Sequence, residues 1–109
     1  MGPVQRLRRT VPLDAYVVDV LLRDIVGHDQ HPGAFLVFLL LYAASARCRW
    51  RPVAMSLRDI AEATGLSKSA VQAAMKRLRS RELVSTTAAH ATAKPHHRVL
   101  RHWRATRAV

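Results

Sequence analysis

The chain has 109 residues, of which 50% are hydrophobic, and it carries 18 lysine and arginine residues against 7 aspartate and glutamate residues, for a formal net charge of +11. This length accommodates one small domain rather than two, and so high an apolar content excludes an intrinsically disordered chain. The charge predicts attraction to polyanions, chiefly nucleic acid and secondarily an anionic membrane surface.

The positive charge is distributed unevenly along the chain. Residues 1–13 carry a net charge of +3, residues 14–30 carry −3, residues 31–46 are uncharged, and residues 47–109 carry +11. A neutral, apolar first half followed by a basic second half predicts a division between assembly and binding of an anionic partner. The alternative is a background abundance of arginine, since 15 of the 18 basic residues are arginine.

The single cysteine, Cys48, excludes an internal disulfide framework and a multi-cysteine zinc site, and it fits a reducing compartment. Its neighbours Arg47 and Arg49 favour a thiolate, so redox sensing is one hypothesis, although a lone cysteine is more often inert. The longest apolar run, residues 34–44, is shorter than the about 20 residues that a membrane span requires. With no secretory signal, we expect a soluble cytoplasmic protein that does not bind membranes.

The N-terminal part predicts a basic arm followed by two apolar helices. Residues 1–12, with three arginines between prolines, predict a flexible basic arm. A first helix is predicted over 13–26, with Pro12 suited to its start and Gly27 ending it. A second helix is predicted over 34–44, after a turn.

Both of these helices are apolar on all sides, and such a helix must be buried on all sides. Two of them are difficult to bury in a domain of this size. We therefore expect residues 13–32 to serve in dimerisation, with homodimer contacts through the helices 13–26 and 34–44. The alternative is that both are core helices of a monomer.

The next segment predicts a short edge strand and two further helices. Their bounds are Val53–Met55 for the strand, and 57–64 and 68–81 for the helices. Pro52 argues against a central strand. Ser56 with Asp59 predicts a capping box at the start of the first of these helices, and Ser67 predicts the start of the second.

The C-terminal part predicts a hairpin. Residues 83–103 contain two β-favouring stretches separated by a small and polar loop, and residues 104–109 are predicted to form a C-terminal tail. Trp50 and Trp103 are interpreted as anchors at the edges of the domain rather than as platforms for base stacking.

The helix predicted over 68–81 has two chemically distinct faces when residues are placed about 100° apart around its axis. Its apolar face carries Ala70, Val71, Ala74, Met75 and Leu78. The opposite face carries lysine, arginine, serine and glutamine and no carboxylate. Such a helix can pack against its neighbours while offering hydrogen-bond donors and positive charge to a nucleic-acid groove.

The segment IAEATGLSKSAVQ, residues 60–72, resembles the helix-turn-helix family. That family has a small residue in the first helix, glycine in the turn and a β-branched residue in the second helix, which here are Ala61, Gly65 and Val71. With the hairpin included, the resemblance is to bacterial and phage winged helix-turn-helix regulators and covers residues 33–103. It implies a mainly α fold class with a small β-hairpin wing, a winged helix-turn-helix with an extra N-terminal helix.

By this resemblance, helix 68–81 is a recognition helix in the major groove of double-stranded DNA, and residues 83–103 form a wing on the backbone or in the minor groove. Gln72 is the candidate for direct base readout, with Lys68 and Ser69 near the groove floor. Lys76 and Arg77 are expected to bind phosphates. The remaining candidates are Ser67 at the helix N-terminus and, in the wing, Lys94, His96, His97 and Arg98.

The implied function is that of a sequence-specific DNA-binding transcriptional regulator, a dimeric repressor associated with the nucleoid. The alternatives are a winged-helix module for protein interaction or assembly, and an initiator-type or RNA-binding winged helix. The sequence contains no nucleophile and base pair, phosphate loop or carboxylate dyad, so we expect neither enzymatic activity nor a cofactor. The six histidines lack cysteine or carboxylate partners at ligand spacing, so we expect no metal site.

Overall fold

The computed structural model describes residues 10–105, with Ala105 described by its backbone alone. The arginines of the predicted basic arm, and residues 106–109 of the predicted tail, lie outside the described residues. The chain is mainly helical with a small antiparallel sheet, which confirms the predicted fold class. The helices are an N-terminal helix of two π-helical stretches (Val17–Leu21 and Arg23–His28), α1 (Pro32–Arg47), α2 (Leu57–Thr64), α3 (Lys68–Ser80) and α4 (His102–Ala105), and the strands are β1 (Val53–Ala54), β2 (Val84–Thr87) and β3 (His96–Val99).

The N-terminal helix differs from the α-helix predicted over 13–26. Its helical residues run from 15 to 28, and most of them are π-helical, with N–H groups bonded to carbonyls five residues earlier. Pro12 therefore lies before the helix rather than at its first position. Gly27 lies inside the helix, so the prediction that it ends the helix is wrong. The chain reverses instead at Gln30, whose φ of 51° is left-handed.

The N-terminal helix and α1 pack against each other, and each helix buries one face. The N-terminal helix buries Val17, Leu21 and Ile25, while α1 buries a stripe that includes Phe38 and Leu41. Four large apolar side chains outside the buried faces are between 38% and 49% exposed, namely Leu13, which precedes the N-terminal helix, Val18 and Leu22 within it, and Leu36 in α1. A single chain therefore does not bury these two helices on all sides, and part of their apolar surface faces outward.

The helix-turn-helix of α2 and α3 follows from local signals in the sequence. The Ser56 hydroxyl accepts a hydrogen bond from the Asp59 N–H at 3.0 Å, and the Asp59 carboxylate accepts one from the Ser56 N–H at 2.9 Å, which confirms the capping box. Gly65 adopts a φ of 79°, the left-handed conformation that glycine tolerates best. The Ser67 hydroxyl then accepts a bond from the Ala70 N–H at 3.1 Å and caps α3.

The apolar face of α3 packs into the hydrophobic core. The fully buried residues of this face are Val71, Ala74, Met75 and Leu78. They pack chiefly against α1, and also against α2 and β2. Because one side of α3 is fixed in this way, its opposite side must project into solvent.

The predicted hairpin belongs to a three-stranded antiparallel sheet with the strand order β1-β3-β2. β2 and β3 pair with Val84 opposite Val99, and β1 adds to the free side of β3. β1 is thus an edge strand, as Pro52 predicts. Val84 and Val99 are buried, so one face of the sheet covers the core and the other faces solvent.

The short helix α4 ties the end of the described chain to its beginning. Arg104 donates to the two oxygens of Asp14 at 2.7 and 2.8 Å, and the Trp103 ring nitrogen donates to the same carboxylate at 2.8 Å. These donors, Arg104 foremost, hold the pKa of Asp14 well below its usual range. Trp103 also stacks on Tyr16 with ring centroids 4.7 Å apart. Arg104, which the sequence assigns to the tail, is therefore bound to the folded domain.

Ser45 in α1 is fully buried, and its hydroxyl is the one buried side-chain polar atom within residues 10–105 that has no hydrogen-bond partner. We expect Ser45→Ala to raise the free energy of unfolding by about 1 kcal/mol, because it removes a desolvated hydroxyl from a helix. Urea denaturation at neutral pH measures the change. Ser69→Ala is the comparison at an exposed helical position, where the hydroxyl is accessible to water and lies 3.2 Å from the Ser67 hydroxyl. A loss of stability in Ser45→Ala would contradict the prediction.

Candidate nucleic-acid interface

The exposed side of α3 is polar and cationic, apart from Ala73. Its exposed residues, with the cap, are Ser67, Lys68, Ser69, Gln72, Ala73, Lys76, Arg77, Arg79 and Ser80. No aspartate or glutamate occurs between positions 67 and 80. The structure thus brings six of the predicted site residues onto one helical surface, which we call the α3 ridge.

A groove lies between the α3 ridge and the loop of the wing. It has a volume of about 430 Å³ and is lined from the helical side by Lys68 and Gln72 and from the start of α2 by Arg58. Small residues of the wing loop, Ala88, Ala91, Ala93 and Pro95, form the other wall. Because this wall carries no acidic side chain, the groove offers cations and an amide to a bound anion.

A second groove lies on the opposite side of the α3 ridge. It has a volume of about 390 Å³ and is lined by Lys76, Arg77 and Ser80 of the ridge and by His31 from the turn before α1. The His31 Nδ1 accepts a hydrogen bond from the Ala34 N–H at 3.1 Å, so the proton of the neutral ring is on Nε2. His31 therefore keeps one donor for a ligand in this groove.

Lys94 of the wing loop is placed beside the capping box of α2. Its Nζ lies 3.1 Å from the Asp59 carboxylate. The Ser56 N–H and this ammonium group together lower the pKa of Asp59. Lys94 thus docks the wing loop against the start of α2, next to the groove that contains Arg58.

Two of the exposed wing residues, His96 and Arg98, lie on the outer face of β3. His96 and Arg98 alternate with buried neighbours along the strand and point to solvent. Arg98 lines a different groove of about 590 Å³, together with Trp50, Arg101 and other residues near the base of the sheet. Of the predicted wing contacts, Lys94 lies beside the start of α2, and Arg98 belongs to this separate surface.

His97 faces the interior, unlike the other predicted wing contacts. Its side chain is only 2% exposed, with Nε2 2.9 Å from the Met55 carbonyl and Nδ1 2.9 Å from the Thr86 hydroxyl. The carbonyl can only accept, so Nε2 donates and Nδ1 accepts from Thr86. His97 therefore cross-links the three-stranded sheet, and its burial removes it from the set of DNA contacts.

Burial lowers the pKa of His97, although the bond to Met55 opposes this shift. The unfolded chain therefore binds a proton more readily than the folded chain below the ordinary histidine value of 6.5. We expect stability to fall as the pH decreases below that value. Thermal unfolding across this range should show a weaker pH dependence in His97→Gln than in the matched variant His90→Gln, at an exposed position of the wing loop. Equal pH dependence in both variants would contradict the assignment.

The sequence interpretation missed three residues of this surface whose N–H groups can donate hydrogen bonds to a phosphate. Arg58 and His31 line the two grooves, and Arg79 is exposed on α3. Arg79 lies on the polar face and could have been included from its helical angle alone. Arg58 and His31 come next to the α3 ridge only through tertiary packing, for which the sequence contains no local signal.

The described residues also bear on a metal site, a membrane-spanning helix and the single cysteine. Within residues 10–105, no three histidine, cysteine, aspartate or glutamate side chains come together as they would around a metal ion. No helix in the same part of the chain is long and apolar enough to cross a membrane. Cys48 is an exposed free thiol at the end of α1, apart from the α3 ridge.

The comparisons with known proteins agree with this geometry. Residues 54–85 match the family model described as winged helix-turn-helix DNA-binding. No curated protein and no solved structure shows significant similarity to the chain. The matched residues begin in β1, contain α2, the Gly65 turn and α3, and end in β2. Residues 54–85 are thus similar to winged helix-turn-helix DNA-binding domains in both sequence and fold.

Proposed function

We propose that the chain is a sequence-specific transcriptional regulator that binds double-stranded DNA as a homodimer and acts as a repressor. The observation that carries this proposal is the α3 ridge, an acid-free helical surface between two grooves lined by cations. A DNA target also implies a location on the nucleoid.

The α3 ridge and its two grooves match the cross-section of a DNA major groove. That groove is about 12 Å wide, admits one helix and is bordered by two phosphate backbones. With α3 inserted, one backbone would lie along Lys76, Arg77 and His31, and the other near Arg58 and Lys68. Phosphate contacts on both sides would hold the helix in register while side chains at its centre read the bases.

Homodimerisation is supported by the outward-facing apolar residues Leu13, Val18, Leu22 and Leu36. A second copy related by two-fold symmetry would cover the same residues on both chains. The two recognition helices would then meet half-sites about 10 bp, or a multiple of that distance, apart. Repression requires only that such a dimer occupy a site needed by another protein.

Selection of bound sequences from a random pool of DNA duplexes, at a stated salt concentration, tests this function. We expect an enriched palindrome with the half-site spacing of a two-fold dimer. Binding that is independent of sequence, or stronger to RNA than to DNA, would overturn the proposal in favour of a nonspecific or RNA-binding winged helix. Lack of binding to any nucleic acid would favour a protein-interaction module.

Lys76→Ala and Arg77→Ala are expected to weaken binding to selected and random duplexes by similar factors, because phosphates are the same in every sequence. Each substitution should reduce the slope of log affinity against log salt by about one unit. Arg47→Ala, which removes an exposed arginine at the end of α1, controls for net charge. If Lys76→Ala and Arg77→Ala leave the salt slope unchanged, neither residue contacts a phosphate.

A further inference from the structure

We infer that Asp29 is a positioning residue for DNA binding, which it serves by holding the end of α3 through Arg81. This inference rests on the proposed function, in which α3 is the helix that enters the DNA. Asp29 does not belong to the α3 ridge, so its effect on binding would be exerted through Arg81.

The contact between these residues has the geometry of a strong ion pair. Arg81 directly follows α3, and its Nε and Nη2 donate to the two oxygens of Asp29 at 2.8 and 2.6 Å. Asp24 lies further away, with an oxygen 3.8 Å from the Arg81 Nη1. The Asp29 side chain is only 5% exposed, so water competes little for the bidentate bond.

Asp29 is itself held in place by the turn that follows the N-terminal helix. Its N–H donates to the Asp24 carbonyl at 2.8 Å, and the His28 Nδ1 lies 3.0 Å from its carboxylate. The His31 N–H donates to the Ile25 carbonyl at 2.9 Å, which closes the turn. The carboxylate is therefore presented to Arg81 from a fixed backbone.

The ion pair lies beside the groove formed by His31, Lys76 and Arg77. His31 follows Asp29 by two residues, and Arg77 precedes Arg81 by four residues, one helical turn. The ion pair thus joins the turn that carries His31 to the end of the helix that carries Arg77, which form the two walls of the groove. Loss of the pair would free the α3 ridge to move relative to His31, and a binding site tolerates only about 0.5 Å of such displacement.

The charge state of the pair is constant at neutral pH. The Arg81 guanidinium, with a smaller contribution from His28, holds the pKa of Asp29 well below its usual range, and Asp29 raises the pKa of Arg81. The Asp29 contribution to stability is lost only as the pH falls through this low value. The pair therefore acts as a permanent link rather than as a pH switch.

A second aspartate provides a matched control at the other end of the N-terminal helix. Asp14 binds Arg104 with two bonds of 2.7 and 2.8 Å, which is the same bidentate arrangement. Arg104 belongs to α4 and not to the helix-turn-helix. Asp14→Asn therefore loosens the same N-terminal helix without releasing α3.

The test compares Asp29→Asn with Asp14→Asn in the full chain, and its probes are a selected duplex that contains one half-site and a random-sequence duplex. A single half-site removes any contribution of the N-terminal helix through dimerisation. We expect Asp29→Asn to bind the selected duplex about tenfold more weakly and Asp14→Asn to change binding less than about twofold. The exchanged pair Asp29→Arg with Arg81→Asp should recover part of the affinity. Equal losses in Asp29→Asn and Asp14→Asn would overturn the inference, because both would then act through general stability.

Hydrogen exchange provides a readout that does not depend on DNA. Asp29→Asn should accelerate amide exchange in the last turn of α3, around Arg77, and Asp14→Asn should not. Unchanged exchange in Asp29→Asn would overturn the positioning role even if the wild-type chain binds DNA. Failure of the wild-type chain to bind any duplex, with exchange altered as expected, would overturn the proposed function and leave Asp29 as the residue that orders α3.

Discussion

Replacing both Val18 and Leu22 with aspartate is expected to convert the proposed homodimer into a monomer and to weaken binding to a two-half-site duplex by about 100-fold or more. The two side chains are 49% and 38% exposed, so the change leaves the buried stripe of Val17, Leu21 and Ile25 intact. In a dimer, binding of one chain to its half-site holds the second chain at a high effective concentration near the other half-site. A monomer lacks this effect, so its affinity is lower. Two buried carboxylates at a two-fold interface would also face their own copies.

Light scattering with size-exclusion chromatography measures the mass, and titration of two DNA probes measures the binding. Arg23→Asp is the matched control, because it lies at an exposed position of the same helix and makes the same change of two charge units. It should remain dimeric. The double variant should bind a duplex with one half-site as the wild-type chain does. A wild-type chain that is monomeric at micromolar concentration would contradict the dimer proposal.

The elements that the sequence predicts well are those with local chemical signals. The Ser56 and Asp59 side chains satisfy each other's backbone N–H groups within one turn, Gly65 permits the left-handed turn, and Ser67 starts α3. Each signal acts over three or four residues, so the neighbouring sequence is sufficient to interpret it. The bounds of α2 and the start of α3 are therefore predicted to the residue.

The parts that the sequence does not predict depend on partners that are distant along the chain. Arg81 binds Asp29 across 52 positions, and Arg104 binds Asp14 across 90 positions. The pairing of β1 with β3 also joins residues that are far apart along the chain, such as Val53 and His97. The π-helical backbone is missed for another reason, because a pattern of apolar residues spaced four apart is compatible with an α-helix as well.

In the candidate site, too, some features are predicted from local sequence patterns and others are not. The polar face of α3 is predicted from helical angles because the opposite face is apolar and must be buried. His97 is misplaced because the sequence interpretation assigns it to the DNA contacts together with its neighbours His96 and Arg98. The strand places alternate residues on opposite faces, so His97 shares the inner face with Val99 while His96 and Arg98 point outward.

Gln72→Ala is expected to weaken binding to the selected duplex by about 1 to 3 kcal/mol, or roughly 5- to 150-fold, with a much smaller effect on random duplexes. Gln72 is exposed on the α3 ridge and lines the groove beside Lys68 and Arg58. Its amide has both a donor and an acceptor, which match N7 and N6 of adenine in the major groove. A lysine or arginine at the same position lacks the acceptor.

The ratio of affinities for selected and random duplexes distinguishes base readout from backbone binding. Gln72→Ala should reduce this ratio, whereas Arg77→Ala should lower both affinities and preserve it. Replacing the adenine that binds Gln72 by 7-deazaadenine removes the N7 acceptor from the duplex. This change should weaken binding by the wild-type chain but not by Gln72→Ala. An unchanged ratio in Gln72→Ala would assign specificity to Ser69, to the wing or to the shape of the DNA instead, because no other amide is available on the α3 ridge.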